Sequence, residues 1–97
     1  MAQLTDKQTT ARILEPLADH WAIGAWINGD GDGFTDRPDQ LPHYSSLSSG
    51  ERIVVDVAFA VQTGRFDFAF VELLNLDQGW RDRIITALAE RAGVGGA

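Results

Sequence analysis

The alternating run at positions 28–33, Asn-Gly-Asp-Gly-Asp-Gly, places the strongest constraint on how this chain can fold. Glycine, asparagine and aspartate disfavour helices and strands and readily adopt the tight conformations of turns. Just upstream, the side chains of residues 20–28 alternate with a period of two, which is typical of a strand. The pattern predicts a β-hairpin, with residues 34–36 as its short second strand.

Two capping-box motifs predict where helices begin. Thr5-x-x-Gln8 precedes a helix from about Asp6, and Pro16, which lacks an amide hydrogen, should end or kink it. Ser48-x-x-Glu51 precedes a second apolar run with helical spacing. Both motifs satisfy backbone N–H groups that have no partner at a helix start, so we expect a helix after each of them.

The C-terminal third is predicted in less detail. Thr63-Gly64 is a typical helix stop, and Asp77 is a suitable N-cap for a last helix that Gly93 would end. Residues 66–76 fit either a strand, from the alternation of Phe66, Phe68 and Phe70, or a short helix. Residues 37–47 are expected to form a surface loop because they hold two prolines.

These elements predict an α+β fold. The expected order is an N-terminal helix, the β-hairpin, and then two or three helices packed on one face of the hairpin, because a lone hairpin is only marginally stable. A chain of 97 residues has room for one domain, which we place at residues 1–93, with residues 94–97 as a flexible tail. The eight tryptophan and phenylalanine residues supply large apolar side chains for its core.

Charge and composition exclude several classes of function. The chain has 14 acidic and 8 basic residues and a net charge of −6, which argues against binding to nucleic acid. No apolar run is long enough to span a membrane, and the polar N-terminus lacks a signal-peptide core, so we expect no membrane partner and a cytoplasmic location. The chain has no cysteine, which excludes disulfides and thiolate metal sites.

The acidic turn is also a candidate calcium loop. Residues 28–39 resemble an EF-hand or dockerin-type loop, in which oxygen ligands recur at fixed positions and glycine occupies position 6. The resemblance implies calcium as a possible cofactor, with Phe34 offering its backbone carbonyl and side-chain ligands from Asn28, Asp30, Asp32, Asp36 and Asp39. Asparagine at position 1, aspartate at position 12 and the absence of a second loop depart from the pattern. The alternative is a plain turn, which selects the same residue types.

The helix start at residues 47–52, Leu-Ser-Ser-Gly-Glu-Arg, is similar to the signature helix of ABC and SMC-type ATPases. In those proteins the serine and the amides of the helix start hold a nucleotide phosphate bound by a partner subunit. The resemblance implies nucleotide contacts from Ser48, Ser49, Gly50 and Glu51, and residues 68–72 resemble a degraded Walker B strand. However, Val71 occupies the position of the magnesium-binding aspartate, and the chain has no phosphate-binding P-loop motif. We therefore expect no independent ATP hydrolysis; the alternative is a capping box alone.

The same helix resembles one found in short proteins of actinobacteria and their phages, in which a similar Leu-Ser-Ser-Gly-Glu-Arg stretch precedes Asp-Val-Ala. That likeness implies no chemistry. Since the sequence contains no complete catalytic set, we expect a non-enzymatic, acidic accessory or regulatory protein that binds a protein partner or itself. A calcium-binding module and a degenerate ATPase-signature fragment are the two alternatives.

Overall fold

A computed structural model of the protein describes residues 4–38, 43–65 and 70–92. Three α-helices dominate these residues: α1 (Asp6–Leu14), α2 (Ser49–Thr63) and α3 (Gln78–Arg91). Short 3₁₀ helices lie between them at Glu15–Leu17, Ile23–Trp26, Tyr44–Ser46 and Phe70–Asn75. The described part of the chain therefore has an all-α fold.

The predicted helix starts are confirmed. In α1, the Thr5 hydroxyl accepts a hydrogen bond from the Gln8 amide at 3.1 Å, and the Gln8 side chain accepts one from the Thr5 amide at 2.9 Å. α2 begins with the same reciprocal pair between Ser48 and Glu51. Asp77 caps α3 by accepting a hydrogen bond from the amide of the third helical residue at 2.9 Å. Each cap joins residues three apart, which is why the sequence alone could indicate it.

The predicted helix ends at Pro16 and Gly64 are confirmed as well. α1 ends at Leu14, and the chain continues as the 3₁₀ turn that contains Pro16. α2 ends where Gly64 adopts the left-handed conformation, with φ at 71°. A side chain at position 64 would strain that backbone, so glycine is the residue that closes this helix most easily.

α1 lies between the other two helices and contacts both of them. Its buried face includes Ile13, Leu14 and two threonines, Thr9 and Thr10, that are fully inaccessible to solvent. Both threonine hydroxyls donate to backbone carbonyl oxygens one turn earlier, at 2.9 and 2.7 Å. Since the hydroxyls are satisfied within α1 itself, these side chains can pack against neighbouring helices without an unpaired polar group.

Ion pairs join α1 and the residue after it to α3. Arg12 contacts Glu90 at 3.1 Å, Glu15 contacts Arg83 at 3.3 Å, and Asp6 is paired with an arginine in the last turn of α3. These pairs are partly exposed, so each stabilises the fold only weakly. They nevertheless place most of the arginines of α1 and α3 beside carboxylates.

The core draws on all three helices and on the segments between them. The side chains of Trp26 and Phe34 are buried, and Trp80 packs partly against the core. Trp21, by contrast, is 65% exposed and does not join the core, contrary to the expectation that the tryptophans would help to build it. The remaining buried apolar residues of the core cluster are Ile13, Leu14, Leu17, Ala22, Ile23, Leu47, Val54, Val55, Val57, Ala58, Val61, Leu73, Leu76, Ile84 and Ala87.

The predicted α+β fold is wrong. Across the described residues the structure contains no strand, and the predicted hairpin is reduced to one isolated antiparallel bridge between Ile27 and Phe34. The turn between them is present, since the Asn28 amide donates to the Gly33 carbonyl at 2.8 Å. The helices therefore pack on one another instead of on one face of a hairpin.

Residues 20–28 do not extend as a strand because the backbone curls back on itself at Gly24. The Gly24 amide donates to the His20 carbonyl at 3.1 Å, and a β-carbon on Gly24 would lie 2.5 Å from the Ala18 carbonyl oxygen. Only glycine permits this close backbone approach. The period-two pattern is thus a by-product of a tight, locally hydrogen-bonded segment that includes the 3₁₀ helix Ile23–Trp26.

Several predictions fall on residues that the structure does not describe. Of the ambiguous segment 66–76, residues 70–75 form a 3₁₀ helix, and 66–69 lie outside the described residues. The same is true of Gly93 and the tail at 94–97, so the division into a domain at 1–93 and a tail stays a prediction.

Across the residues described, no helix combines the length and the apolar character that crossing a membrane requires.

Candidate functional site

The candidate calcium loop folds as a closed turn held by its own side chains. The Asn28 side-chain oxygen accepts a hydrogen bond from the Asp32 amide at 3.2 Å, and the Asn28 side-chain nitrogen donates to the Asp32 carboxylate at 3.0 Å. Asp30 and Asp36 are exposed, and the Asp36 carboxylate accepts a hydrogen bond from the amide of the next residue. Two of the predicted ligands therefore bind each other.

No group of three or more acidic or histidine side chains comes together to hold a metal ion in the residues that the structure describes. Asp39, the predicted ligand at position 12, lies outside those residues. The calcium loop of Asn28, Asp30, Asp32, Asp36 and Asp39 therefore stays a prediction.

A glutamine from α2 anchors the far side of this turn. The Gln62 side-chain oxygen accepts a hydrogen bond from the Phe34 amide at 2.8 Å, and its nitrogen donates to the Phe34 carbonyl at 3.2 Å. The glutamine side chain thus makes the pair of backbone hydrogen bonds that a second neighbouring strand would make with Phe34, and it joins the turn to α2.

The second candidate site, at the start of α2, contains a more extensive network. The Glu51 amide donates to the Ser48 hydroxyl at 3.1 Å, and one Glu51 carboxylate oxygen accepts from the Ser48 amide at 2.8 Å. The other carboxylate oxygen is bonded to Nε2 of His20. The hydrogen bond from the Ser48 backbone, followed by that from His20, lowers the pKa of Glu51 below its usual value.

His20 links this helix start to the preceding segment. Its Nδ1 accepts hydrogen bonds from the amides of Ala22 and Ile23, both at 3.1 Å. Because Nδ1 acts as an acceptor, the ring proton resides on Nε2, which donates to Glu51. One imidazole thus caps the turn that leads into the 3₁₀ helix Ile23–Trp26 and also braces the first turn of α2.

This arrangement presents Trp21 to solvent in a defined orientation. The Trp21 ring stacks on the His20 ring with centroids 5.7 Å apart, and the His43 ring meets it edge-on at 5.4 Å. His43 has a φ of 72°, a conformation that is uncommon for any residue except glycine. Two histidines therefore hold an indole that is 65% exposed.

Two more exposed apolar side chains lie on a second segment that packs near the start of α2. In the 3₁₀ helix Phe70–Asn75, Val71 and Leu74 are each 66% exposed. Leu76 follows this helix, is buried, and has its side chain 3.7 Å from the position that a β-carbon on Gly50 would occupy. We call Trp21, His43, Val71 and Leu74 the α2-start surface, because the segments that carry them pack against the first turn of α2.

Two of the four predicted nucleotide contacts have partners within the chain. Ser48 and Glu51 satisfy each other, and the Glu51 carboxylate stands at the helix end where a phosphate would have to sit. The nucleotide contacts of Ser48, Ser49, Gly50 and Glu51 therefore stay a prediction. Ser49 and Gly50 form the first turn of α2. The described part of the Walker B-like stretch, residues 70–72, is a 3₁₀ helix, whereas the resemblance implied a strand.

A cavity of about 490 Å³ opens between α1 and the acidic turn. Its polar lining residues include Gln8, Arg12 and Glu15. Gln8 is bonded within the α1 capping box, and Arg12 and Glu15 are paired with α3. These side chains contribute to the cap of α1 and to its contact with α3.

The sequence indicated Ser48 and Glu51 but missed the parts played by His20 and Trp21. Through its Nδ1, a histidine can accept hydrogen bonds from the amides of the second and third residues after it, as the side chains of aspartate and asparagine do. This capping ability of His20 was the available signal. The bond from His20 to Glu51 joins residues 31 positions apart, so no local pattern reveals it.

Comparison with known proteins found no matching family model, no similar curated protein and no similar solved structure.

Proposed function

We propose that this protein is a non-enzymatic accessory or regulatory module that binds a protein partner through the α2-start surface. The observation that carries the proposal is the exposed Trp21 ring, held between His20 and His43. Tryptophan is among the residues most enriched at the energetic centres of protein interfaces. An aromatic ring that is already ordered loses little conformational entropy on binding, which favours affinity.

The bonding of His20 and Glu51 supports a binding role over a catalytic one. A general base needs a free lone pair, but the Nδ1 lone pair of His20 is shared by two backbone amides. Both carboxylate oxygens of Glu51 are also engaged. These groups would have to abandon the caps of two helical segments in order to react. Their placement therefore favours a structural role, in which they position Trp21.

The proposal is tested by capturing partners from a lysate of cells that make this protein naturally. The captured proteins are quantified for the wild-type chain and for Trp21→Ser. Ile85→Ser is the matched control, because Ile85 is also an exposed apolar residue, at 50%, but lies on α3. We expect Trp21→Ser to lose at least one partner that Ile85→Ser retains, with equal melting temperatures for both variants. Identical partner profiles for the three proteins would contradict the proposal.

Parallel arms with calcium and with a chelator separate the proposal from the calcium-binding alternative. Capture through Trp21 should be the same in both arms. A partner that is retained only with calcium, and is lost in Asp30→Asn, would instead favour a metal-dependent function for the acidic turn.

A further inference from the structure

We propose that the segment bound by the α2-start surface carries aliphatic side chains beside lysine or arginine residues. This inference rests on the proposed function and adds the chemistry of the partner. It is drawn from how charge is distributed over the fold, combined with the apolar character of the exposed side chains at this surface.

The segments that build the α2-start surface are acidic. Residues 17–24, 43–56 and 70–80 together contain five carboxylates and one arginine. Three of the five, Glu51, Asp56 and Asp77, accept hydrogen bonds within the chain. Asp19 is two residues from Trp21, and Glu72 lies between Val71 and Leu74; both carboxylate residues are exposed. The apolar side chains of this surface are therefore accompanied by negative charge.

Most of the basic residues of the protein lie elsewhere. α1 with Glu15, together with α3, contains five basic and four acidic residues. Arg12, Arg83 and Arg91 there are paired with carboxylates across the α1–α3 contact. The net negative charge is thus not spread evenly: the segments that carry Trp21, Val71 and Leu74 are acidic, whereas α1 with Glu15 and α3 together are not.

This distribution selects one class of occupant. A partner must offer apolar groups to cover the exposed Trp21, Val71 and Leu74 side chains, and cations to complement the exposed Asp19 and Glu72 that lie near them in the sequence. A second copy of this chain would bring the same carboxylates against themselves, because a twofold interface apposes identical surfaces. Nucleic acid would bring phosphates to an acidic surface. A protein segment with aliphatic anchors flanked by lysine or arginine meets both requirements.

The test uses two synthetic peptides of 14 residues with leucines at identical positions, one with lysine and one with glutamate at every remaining charged position. Binding to the full chain is measured by isothermal titration calorimetry at low and high salt. We expect the lysine peptide to bind about tenfold more tightly than the glutamate peptide, and to weaken as salt screens the carboxylates. We expect Trp21→Ser to reduce its affinity about tenfold.

Two charge-matched double variants distinguish a local effect from general attraction to an acidic protein. Asp19→Asn with Glu72→Gln removes two carboxylates from the segments of the α2-start surface, whereas Asp30→Asn with Asp36→Asn removes two from the acidic turn. Both raise the net charge by the same amount. We expect the first pair to weaken binding of the lysine peptide about threefold and the second to leave it nearly unchanged.

The inference would be overturned by equal affinity for the two peptides, by equal effects of the two double variants, or by lysine-peptide binding that persists in Trp21→Ser. Failure of both peptides to bind would also overturn it. In that case, Trp21-dependent capture from lysate would still support the proposed function, so the two failures can be told apart. If sedimentation shows a concentration-dependent dimer that is lost in Trp21→Ser, the occupant of the surface is a second copy of this chain and the inference of a basic segment is wrong.

Discussion

Replacing His20 by alanine should destabilise the protein strongly, because one ring holds two segments together. The amides of Ala22 and Ile23 both donate to its Nδ1, and these residues are 3% and 0% exposed. A buried amide without an acceptor costs about 1–3 kcal/mol. Since the two amides share one nitrogen, we expect a loss of about 2–3 kcal/mol from the cap. The part-buried bond to Glu51 adds about 0.5–1 kcal/mol.

Two conservative variants separate these contributions. In His20→Asn the side-chain oxygen is attached to Cγ, as Nδ1 is in histidine, so it can accept from the two amides but cannot reach Glu51. We expect it to lose only about 1 kcal/mol. In His20→Gln the longer side chain can reach Glu51 but leaves the amides without an acceptor, so most of the alanine effect should remain.

The assay is urea denaturation followed by circular dichroism, which reports the three helices. A domain of this size has a total stability of about 5–15 kcal/mol, so the alanine variant should unfold at a midpoint roughly 1–2 M lower. His43→Asn is the matched control, since His43 makes no side-chain cap and asparagine tolerates its left-handed backbone. It should change stability by less than about 0.5 kcal/mol. Equal losses in His20→Asn and His20→Ala would refute the capping role.

Three further predictions concern the segments around this site. Gly24→Ala should lower the melting temperature and cost about 1–3 kcal/mol, because its methyl group would meet the Ala18 carbonyl oxygen at 2.5 Å; an unchanged melting temperature would contradict the close approach. Gln62→Ala should cost about 1–2 kcal/mol and speed amide hydrogen exchange at Phe34, whose N–H it anchors, whereas unchanged exchange would show that the anchor is dispensable. The pKa of Glu51 is lowered in the folded protein, so its stabilising contribution should be complete above the pKa of an unfolded glutamate, about 4.3, and should disappear as pH falls through the lower folded value. In Glu51→Gln, the free energy of unfolding should therefore fall less steeply as the pH is lowered into this range. The same steepness in both proteins would argue against a lowered pKa of Glu51.

The helix boundaries could be predicted because each depends on residues only a few positions apart. Thr5 with Gln8, and Ser48 with Glu51, satisfy backbone groups within one turn, and Asp77 does so alone. Such contacts form wherever the local sequence permits them, whatever surrounds them. The same locality explains why Gly64 could be predicted as a stop.

The strand prediction failed because a period of two does not specify a hydrogen-bond partner. The pattern of residues 20–28 needed a neighbouring strand, and among the residues that the structure describes the backbone forms a single bridge, at Ile27. Instead, the backbone amides found nearby acceptors in the His20 ring and carbonyl, and Gly24 allowed the chain to turn back tightly. The preference of a sequence for a β-strand is weak and depends on context, so such local hydrogen bonds can override it.

The sequence by itself determined the starts of the three α-helices, the ends of α1 and α2, the closed acidic turn and the negative charge of the protein. Only the tertiary structure decided that α1 would lie between two helices with buried threonines, and that Trp21 would be exposed. It also brought His20 to Glu51 across 31 positions and Arg83 to Glu15 across 68. The physical reason is that a cap is satisfied within one turn of chain, whereas these contacts exist only after distant segments have packed, and their geometry depends on the whole fold.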